Sequence, residues 1–167
     1  NKCFLHKWIG MEQKYAKNDL SCRWVTQMYG DKWEGWRIYA DEWLHIQIRG
    51  LQGRMNAIQW FLEYYLIAQD LPYDPVLLFT KHTVWPDLVS HMEQTLKSAV
   101  SRSQRNNLIV EFIDWIIYKD YCEPNDHGVP TPLVENPFIR IKQPPVPTES
   151  VLNPLPYKYI KELRNIL

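Results

Sequence analysis

Two short runs in which arginine or lysine alternates with amides and hydroxyls carry the clearest chemistry in the chain. Lys97, Arg102 and Arg105 are interleaved with Ser101, Ser103, Gln104, Asn106 and Asn107. Arg49, Gln52, Arg54 and Asn56 form a second run, and Arg140 with Lys142 a sparser third. Arginine, glutamine and asparagine carry the paired donors and acceptors that match purine edges in a major groove. A helix that begins at such a run adds free backbone N–H groups and a dipole, both attractive to phosphate. These fourteen positions less Ser101 and Asn107 are the twelve candidate contacts to double-stranded DNA. The plainer reading is that they are solvated caps, since Ser and Asn favour helix N-termini in any protein.

Other chemistries find less support. Cys3, His6 and Cys22 could supply three zinc ligands, but a fourth at short spacing is missing and structural zinc is four-coordinate. No metal, cofactor or catalytic residue is therefore assigned. His45 lies beside Leu44 and Ile46 and reads as a packed or surface histidine. Asp41-Glu42 and Asp120 with Glu123 are acid pairs that nothing places about a common pocket. The three cysteines are odd in number and widely spaced, which favours a reducing cytosol over a disulfide framework.

The elements that must hold the basic runs are helical. Trp33, Trp36, Ala40, Trp43, Leu44 and Ile48 recur at spacings of three and four, the mark of an amphipathic helix. After Gly50 and Gly53 a second stripe follows: Met55, Ile58, Phe61, Leu62, Tyr65 and Leu66. Pro72 and Pro75 then predict an extended connection. A third helix is expected over 86–96, with Pro86 at its first position. The fourth is expected from an N-cap at Ser101 or Ser103 to near Tyr121, with Leu108, Ile109, Phe112, Ile113, Trp115, Ile116 and Ile117 on a wide apolar face. One or two short helices are expected around Trp8, Tyr15, Trp24 and Met28. Residues 122–156 hold nine of the twelve prolines and read as an extended, semi-rigid linker. The expected division is an N-terminal helical extension (1–32), a helical domain (33–122), a linker (123–156) and the opening of a further domain (157–167).

Nineteen Lys and Arg balance nineteen Asp and Glu in 167 residues. The zero total is a cancellation. Residues 38–96 carry −4 and 106–139 carry −5, whereas 97–105 carry +3 with no acid among them. Neutrality thus lowers the expected affinity for DNA without excluding it. No apolar run approaches the roughly 18 residues of a membrane span. The first residues lack the apolar core of a signal peptide, and with no initiator Met the chain is expected to be an excised fragment. Aromatic stripes could stack single-stranded bases, but the helical spacing of Trp36, Trp43, Phe61, Phe112 and Trp115 favours core packing. Trp60 is the expected exposed exception.

The order of these features resembles a known family. Arg54-Met55-Asn56-Ala57-Ile58-Gln59-Trp60-Phe61-Leu62-Glu63-Tyr64-Tyr65-Leu66 follows a tryptophan-rich helix. Ser103-Gln104-Arg105-Asn106-Asn107-Leu108-Ile109-Val110-Glu111-Phe112-Ile113-Asp114-Trp115-Ile116 and then Glu135-Asn136-Pro137-Phe138 come later. This succession, over about residues 36–142, is similar to the core-binding domain of tyrosine recombinases, or phage integrases. There a helix with a polar, basic start and a Phe-x-x-Trp core (here Phe112 to Trp115) precedes an Asn-Pro that opens the interdomain linker (here Asn136-Pro137). The segment Asn153 to Arg164 resembles the entry to the catalytic domain in divergent integrases of bacterial mobile elements.

The resemblance implies an all-α fold, a four-to-six-helix SAM-like core-binding bundle with a Pro-rich C-terminal linker. It further implies half of a clamp around duplex DNA, assembly of copies on that DNA, a C-terminal catalytic domain missing here, and a bacterial cytoplasmic setting. The family's tyrosine nucleophile and its arginines, lysine and histidines belong to that catalytic domain. No His-x-x-Arg occurs in this chain: Ile9, Ile48, Trp85, Gln94 and Pro130 stand three residues after its five histidines. None of the ten tyrosines is accordingly assigned as a nucleophile. The competing expectation is a helical protein-interaction module of a mobile-element accessory protein, using an exposed Trp/Tyr patch. A stand-alone enzyme ranks last.

Overall fold

The computed structural model describes residues 17–79, 81 and 83–144. The expected helices around Trp8 and Tyr15, the pair Cys3 and His6, the linker beyond 144 and the segment 157–167 lie outside them. Six α-helices appear among the described residues: α1 (Arg23–Tyr29), α2 (Glu34–His45), α3 (Leu51–Gln59), α4 (Pro75–Phe79), α5 (Val84–Thr95) and α6 (Ala99–Asp120). A 3₁₀ turn, Asp31–Trp33, leads into α2, and two three-residue strands, β1 (Cys122–Pro124) and β2 (Pro130–Pro132), pair antiparallel after α6. The fold is an all-α bundle carrying one small hairpin.

The aromatic stripes are what close it. Phe112 of α6 lies 5.1 Å from Trp43, 6.3 Å from Trp36 and 6.4 Å from Phe61, so four rings from three helical segments meet at one point. All four are buried. Such rings favour tilted or edge-on approach because the ring edge is positive and its face negative. Trp24 and Val25 of α1 belong to the same core, so the part of the N-terminal extension that is described packs as part of the bundle.

The second stripe folds as a helix, but not a uniform one. From Trp60 to Ile67 it widens to a π-helix. Hydrogen bonds from i to i+5 bring residues five apart onto one side. Trp60 and Tyr65 accordingly lie parallel, with ring centroids 6.5 Å apart. Trp60, expected to be exposed, is 6% exposed. It is enclosed by the Tyr65 ring, by His91 at 5.5 Å and by the Arg105 guanidinium at 5.8 Å.

Other boundaries move for local reasons. α2 ends at His45, not Ile48, and Gln47 Nε2 donates to the Trp43 carbonyl to cover that end. Gly50 then takes φ +64°, where an added Cβ would lie 2.7 Å from Arg54 Nη1. The connection expected to be extended through Pro75 instead turns into α4 there, with the Asp74 carboxylate accepting from Val76 N–H. α5 begins at Val84, which puts Pro86 third in the helix; its missing N–H is dispensable anywhere in the first turn. α6 begins at Ala99. Its N-cap is Ser98, whose hydroxyl accepts from Ser101 N–H, so neither Ser101 nor Ser103 caps it.

The proline-rich stretch is not a free linker where it is described. The hairpin turn is held by Asn125, whose Oδ1 accepts from His127 and Val129 N–H. Residues 136–141 lie along α6, and Phe138 is 3% exposed, edge-on to Phe61 at 5.8 Å.

Candidate nucleic-acid interface

α3 and α6 run antiparallel where they touch. Arg54 Nη2 reaches Glu111 Oε2 at 3.3 Å, and six residues later, where α3 passes into the π-helical stretch, Trp60 meets Arg105, six residues earlier on α6. The two helix starts therefore do not converge. Ala99 precedes Glu111 by twelve residues, so at 1.5 Å per residue the α6 start lies about 18 Å along the face from the level of Arg54. The midsections are what the fold brings together. Asn56, Gln59, Trp60 and Tyr64 from the α3 segment and Arg105 from α6 line one open depression.

The candidate residues divide by what their side chains already do. Arg54 is engaged by Glu111 and by the Arg49 carbonyl, to which Nη1 donates at 2.8 Å. Arg102 Nη1 donates to the Leu96 and Lys97 carbonyls, closing the end of α5. Ser103 and Asn106 are buried, contrary to a groove-facing role. Ser103 Oγ donates to the Val100 carbonyl; Asn106 accepts from Trp85 Nε1 and donates to the Ile139 carbonyl at 2.7 Å. Buried polar groups need such partners, and here the partners are a helix and the segment laid against it. Arg49, Gln52, Asn56, Lys97, Gln104, Arg140 and Lys142 are exposed. Gln52 Nε2 donates to Asn56 Oδ1 at 3.0 Å. Arg102, Ser103 and Lys142 share a second groove with Val89, Met92 and Ile141.

Arg105 stands apart. It is half-buried over the Trp60 ring, and burial lowers its pKa from the usual guanidinium value, though an arginine there stays charged. No side-chain hydrogen bond or ion pair among the described residues engages it. Among the described residues the other half-buried arginines, Arg37, Arg54 and Arg102, all have partners. A desolvated, unpaired cation is costly unless something supplies acceptors.

Sequence reasoning missed Gln59 and Tyr64. The signal was available: Gln52, Asn56 and Gln59 continue at helical spacing into Tyr64, a polar stripe beside the apolar one. A neighbouring cluster is structural instead. Glu63 accepts from Lys17 Nζ at 2.9 Å and from Tyr29 Oη at 2.5 Å. Burial works to raise the Glu63 pKa, but the Tyr29 and Lys17 hydrogen bonds outweigh it and the net shift is downward. His45 is exposed, its Nδ1 2.9 Å from Asp41. Among the described residues no group of three or more His, Cys, Asp or Glu could hold a metal ion. Cys22 is a buried free thiol whose pKa burial pushes up to about 12. No helix among them is long and apolar enough to cross a membrane.

An all-α bundle with a polar, partly basic face on two antiparallel helices defines the class. Residues 31–167 match the family model described as "Putative integrase", and the chain belongs to that integrase family. No curated protein and no solved structure matches it.

Proposed function

We propose that this chain is the DNA-binding portion of a site-specific tyrosine recombinase, a SAM-like core-binding domain that holds duplex DNA for integration. Arg105 carries the reading: a half-buried guanidinium without a hydrogen-bond or ion-pair partner among the described residues, facing an open depression lined by amides. The arrangement along the face supports it. Arg49 stands before the α3 start and Lys97 before the α6 start, with the depression between them. Cations that flank the depression on both sides suit phosphates on the two rims of a major groove while the depression meets base edges. Strand transfer falls to a catalytic domain that supplies the tyrosine nucleophile, and the working partners are duplex DNA, that domain and further copies on the DNA. The bacterial cytoplasm is the corresponding compartment.

The competing protein-interaction reading calls for an exposed Trp/Tyr patch. Among the described residues no tryptophan is exposed, and the exposed tyrosines Tyr64, Tyr73 and Tyr118 belong to separate segments. The deciding experiment is fluorescence anisotropy of the 167-residue chain on labelled duplex DNA across a salt series. Each phosphate contact contributes about 0.9 to the slope of log K against log salt. A slope of roughly −2 to −5 is expected from the exposed or unpaired Arg49, Lys97, Arg105, Arg140 and Lys142. Absence of salt-dependent binding at 50 mM salt, about the low end of such series, overturns the proposal.

A further inference from the structure

Arg105 and the amides beside it also bear on which base pair is read, an inference that rests on the DNA-binding proposal. We propose that the depression formed by Asn56, Gln59, Tyr64 and Arg105 is a base-reading site that takes the major-groove edge of a G·C pair, with Trp60 as its floor.

The donor and acceptor pattern selects that pair. Arg105 presents guanidinium N–H groups that no hydrogen bond or ion pair among the described residues engages, and it is held 5.8 Å over the Trp60 ring centroid. Guanine is the base that shows two acceptors, O6 and N7, in the major groove; adenine shows an acceptor and a donor, thymine an acceptor and a methyl. Gln59 Nε2 donates within the protein, to Glu63 Oε2 at 3.4 Å, which leaves its Oε1 as an open acceptor. Cytosine offers the matching donor, its N4 amino group. Asn56 Oδ1 is occupied by Gln52, so its amide nitrogen is the group left to donate. A phosphate site would be expected to gather several cations. The other residues lining this depression are Asn56, Gln59, Trp60 and Tyr64, all uncharged.

Trp60 and Tyr64 are positioning and contact residues that the basic-run reading does not assign. Trp60 fixes the guanidinium through ring contact and by excluding water beneath it. Its own place is fixed by the π-helical turn against Tyr65 and by His91. Tyr64, 51% exposed, forms the outer wall.

The test is selection from a duplex library with a randomised core, followed by sequencing, for the unaltered chain, Arg105→Lys, Arg105→Ala and Gln59→Met. The unaltered chain is expected to enrich a position fixed as G·C. Arg105→Lys keeps the charge but loses the planar donor pair. It is expected to lower preference at that position by about 10- to 100-fold, the discrimination of one bidentate contact, with the salt slope unchanged. Gln59→Met is expected to weaken the same position and no other. Far-UV circular dichroism checks that each variant is folded, and Gln59→Met, which removes one long hydrogen bond, keeps the test standing if an Arg105 variant is not. Full retention of sequence preference in Arg105→Lys and Gln59→Met overturns the proposal. So does a uniform loss over all sequences in Arg105→Ala with the slope reduced by about one, which makes Arg105 a phosphate contact. Both outcomes leave the DNA-binding proposal intact. Absence of salt-dependent duplex binding by the unaltered chain removes both.

Discussion

Replacing Phe138 by alanine measures whether the proline-rich segment belongs to the domain. Composition places the boundary near residue 122, and a side chain sixteen residues beyond it should then be dispensable. Phe138 is instead 3% exposed, with its ring 5.8 Å from Phe61 and nearly perpendicular to it. Removing a buried phenylalanine in other proteins costs about 3–5 kcal/mol, the lost transfer energy plus the cavity left behind. The edge-on pair with Phe61 accounts for about 0.5–1.5 kcal/mol of that. The segment is also held by side chains that the substitution leaves in place: Asn136 Nδ2 donates to the Asp114 carboxylate at 2.8 Å, and Asn107 exchanges two bonds with the Ile141 backbone. A loss near 4 kcal/mol is therefore expected, about a quarter to most of a typical domain's stability. At about 2–4 °C per kcal/mol this is a fall in Tm of roughly 8–16 °C. Urea unfolding with a fixed m-value supplies the number, and a cycle of Phe61→Leu, Phe138→Leu and the double variant isolates the ring pair. A change below about 1 kcal/mol with m unaltered refutes the reasoning, because it means that residues 136–141 do not contribute to the cooperative unit.

Three further outcomes are expected. Glu63 has a folded-state pKa below its unfolded value, so its contribution is present above the unfolded value and lost as pH falls through the folded one; Glu63→Gln should flatten the decline in stability on the acid side, and parallel pH profiles for the two proteins would contradict this. Arg102→Ala should lower stability by about 1 kcal/mol through loss of its bonds to the Leu96 and Lys97 carbonyls, discounted for partial exposure, whereas Arg105→Ala should be near neutral in denaturant titration; equal effects on stability would sink the division of roles. Cys22, with its thiol pKa near 12, should react with a disulfide reagent at pH 8 only as fast as the protein unfolds, in a Cys3→Ser background where half-buried Cys122 is the internal comparison; modification of both thiols at one rate would refute its burial.

Helix existence was legible because apolar spacing reports the inward face directly: Trp36, Ala40, Trp43 and Leu44, and Ile109, Phe112, Ile113 and Ile116, are buried as their periodicity requires. What periodicity cannot register is an added residue per turn. The π-helical stretch shifts Trp60 from the outer edge of the stripe onto the Tyr65 side, and a regular 3.6-residue wheel put it in solvent. The proline count agrees with the absence of helix over the described residues 122–144, but composition does not report long-range docking. Asn136 and Phe138 act through distant partners, Asp114 and Phe61, that local sequence does not name. Of the candidate site, the two basic runs were visible and their junction was not, since the meeting of Asn56 with Arg105 follows from the antiparallel packing of helices about fifty residues apart.

The first turns of α6 show why polarity alone misplaced part of that site. Ser103, Asn106 and Val110 follow one another at spacings of three and four and are all buried, so the inward face runs back to the second turn of the helix. Its first half is polar because it meets backbone: the Val100 carbonyl of its own first turn and the Ile139 carbonyl of the docked segment. Arg105 is next to Asn106 in sequence and about 100° away around the helix, so the bonds that fix Asn106 also fix the direction in which Arg105 leaves. The same economy appears in the charges. Arg23, Arg37, Arg54, Arg102, Lys17 and Lys119 are all engaged within the described residues by carboxylates or carbonyls. Six of the thirteen described lysines and arginines are committed internally in this way, which lowers the charge available to a polyanion, and the partly desolvated Arg105 then has to act through its geometry more than through charge.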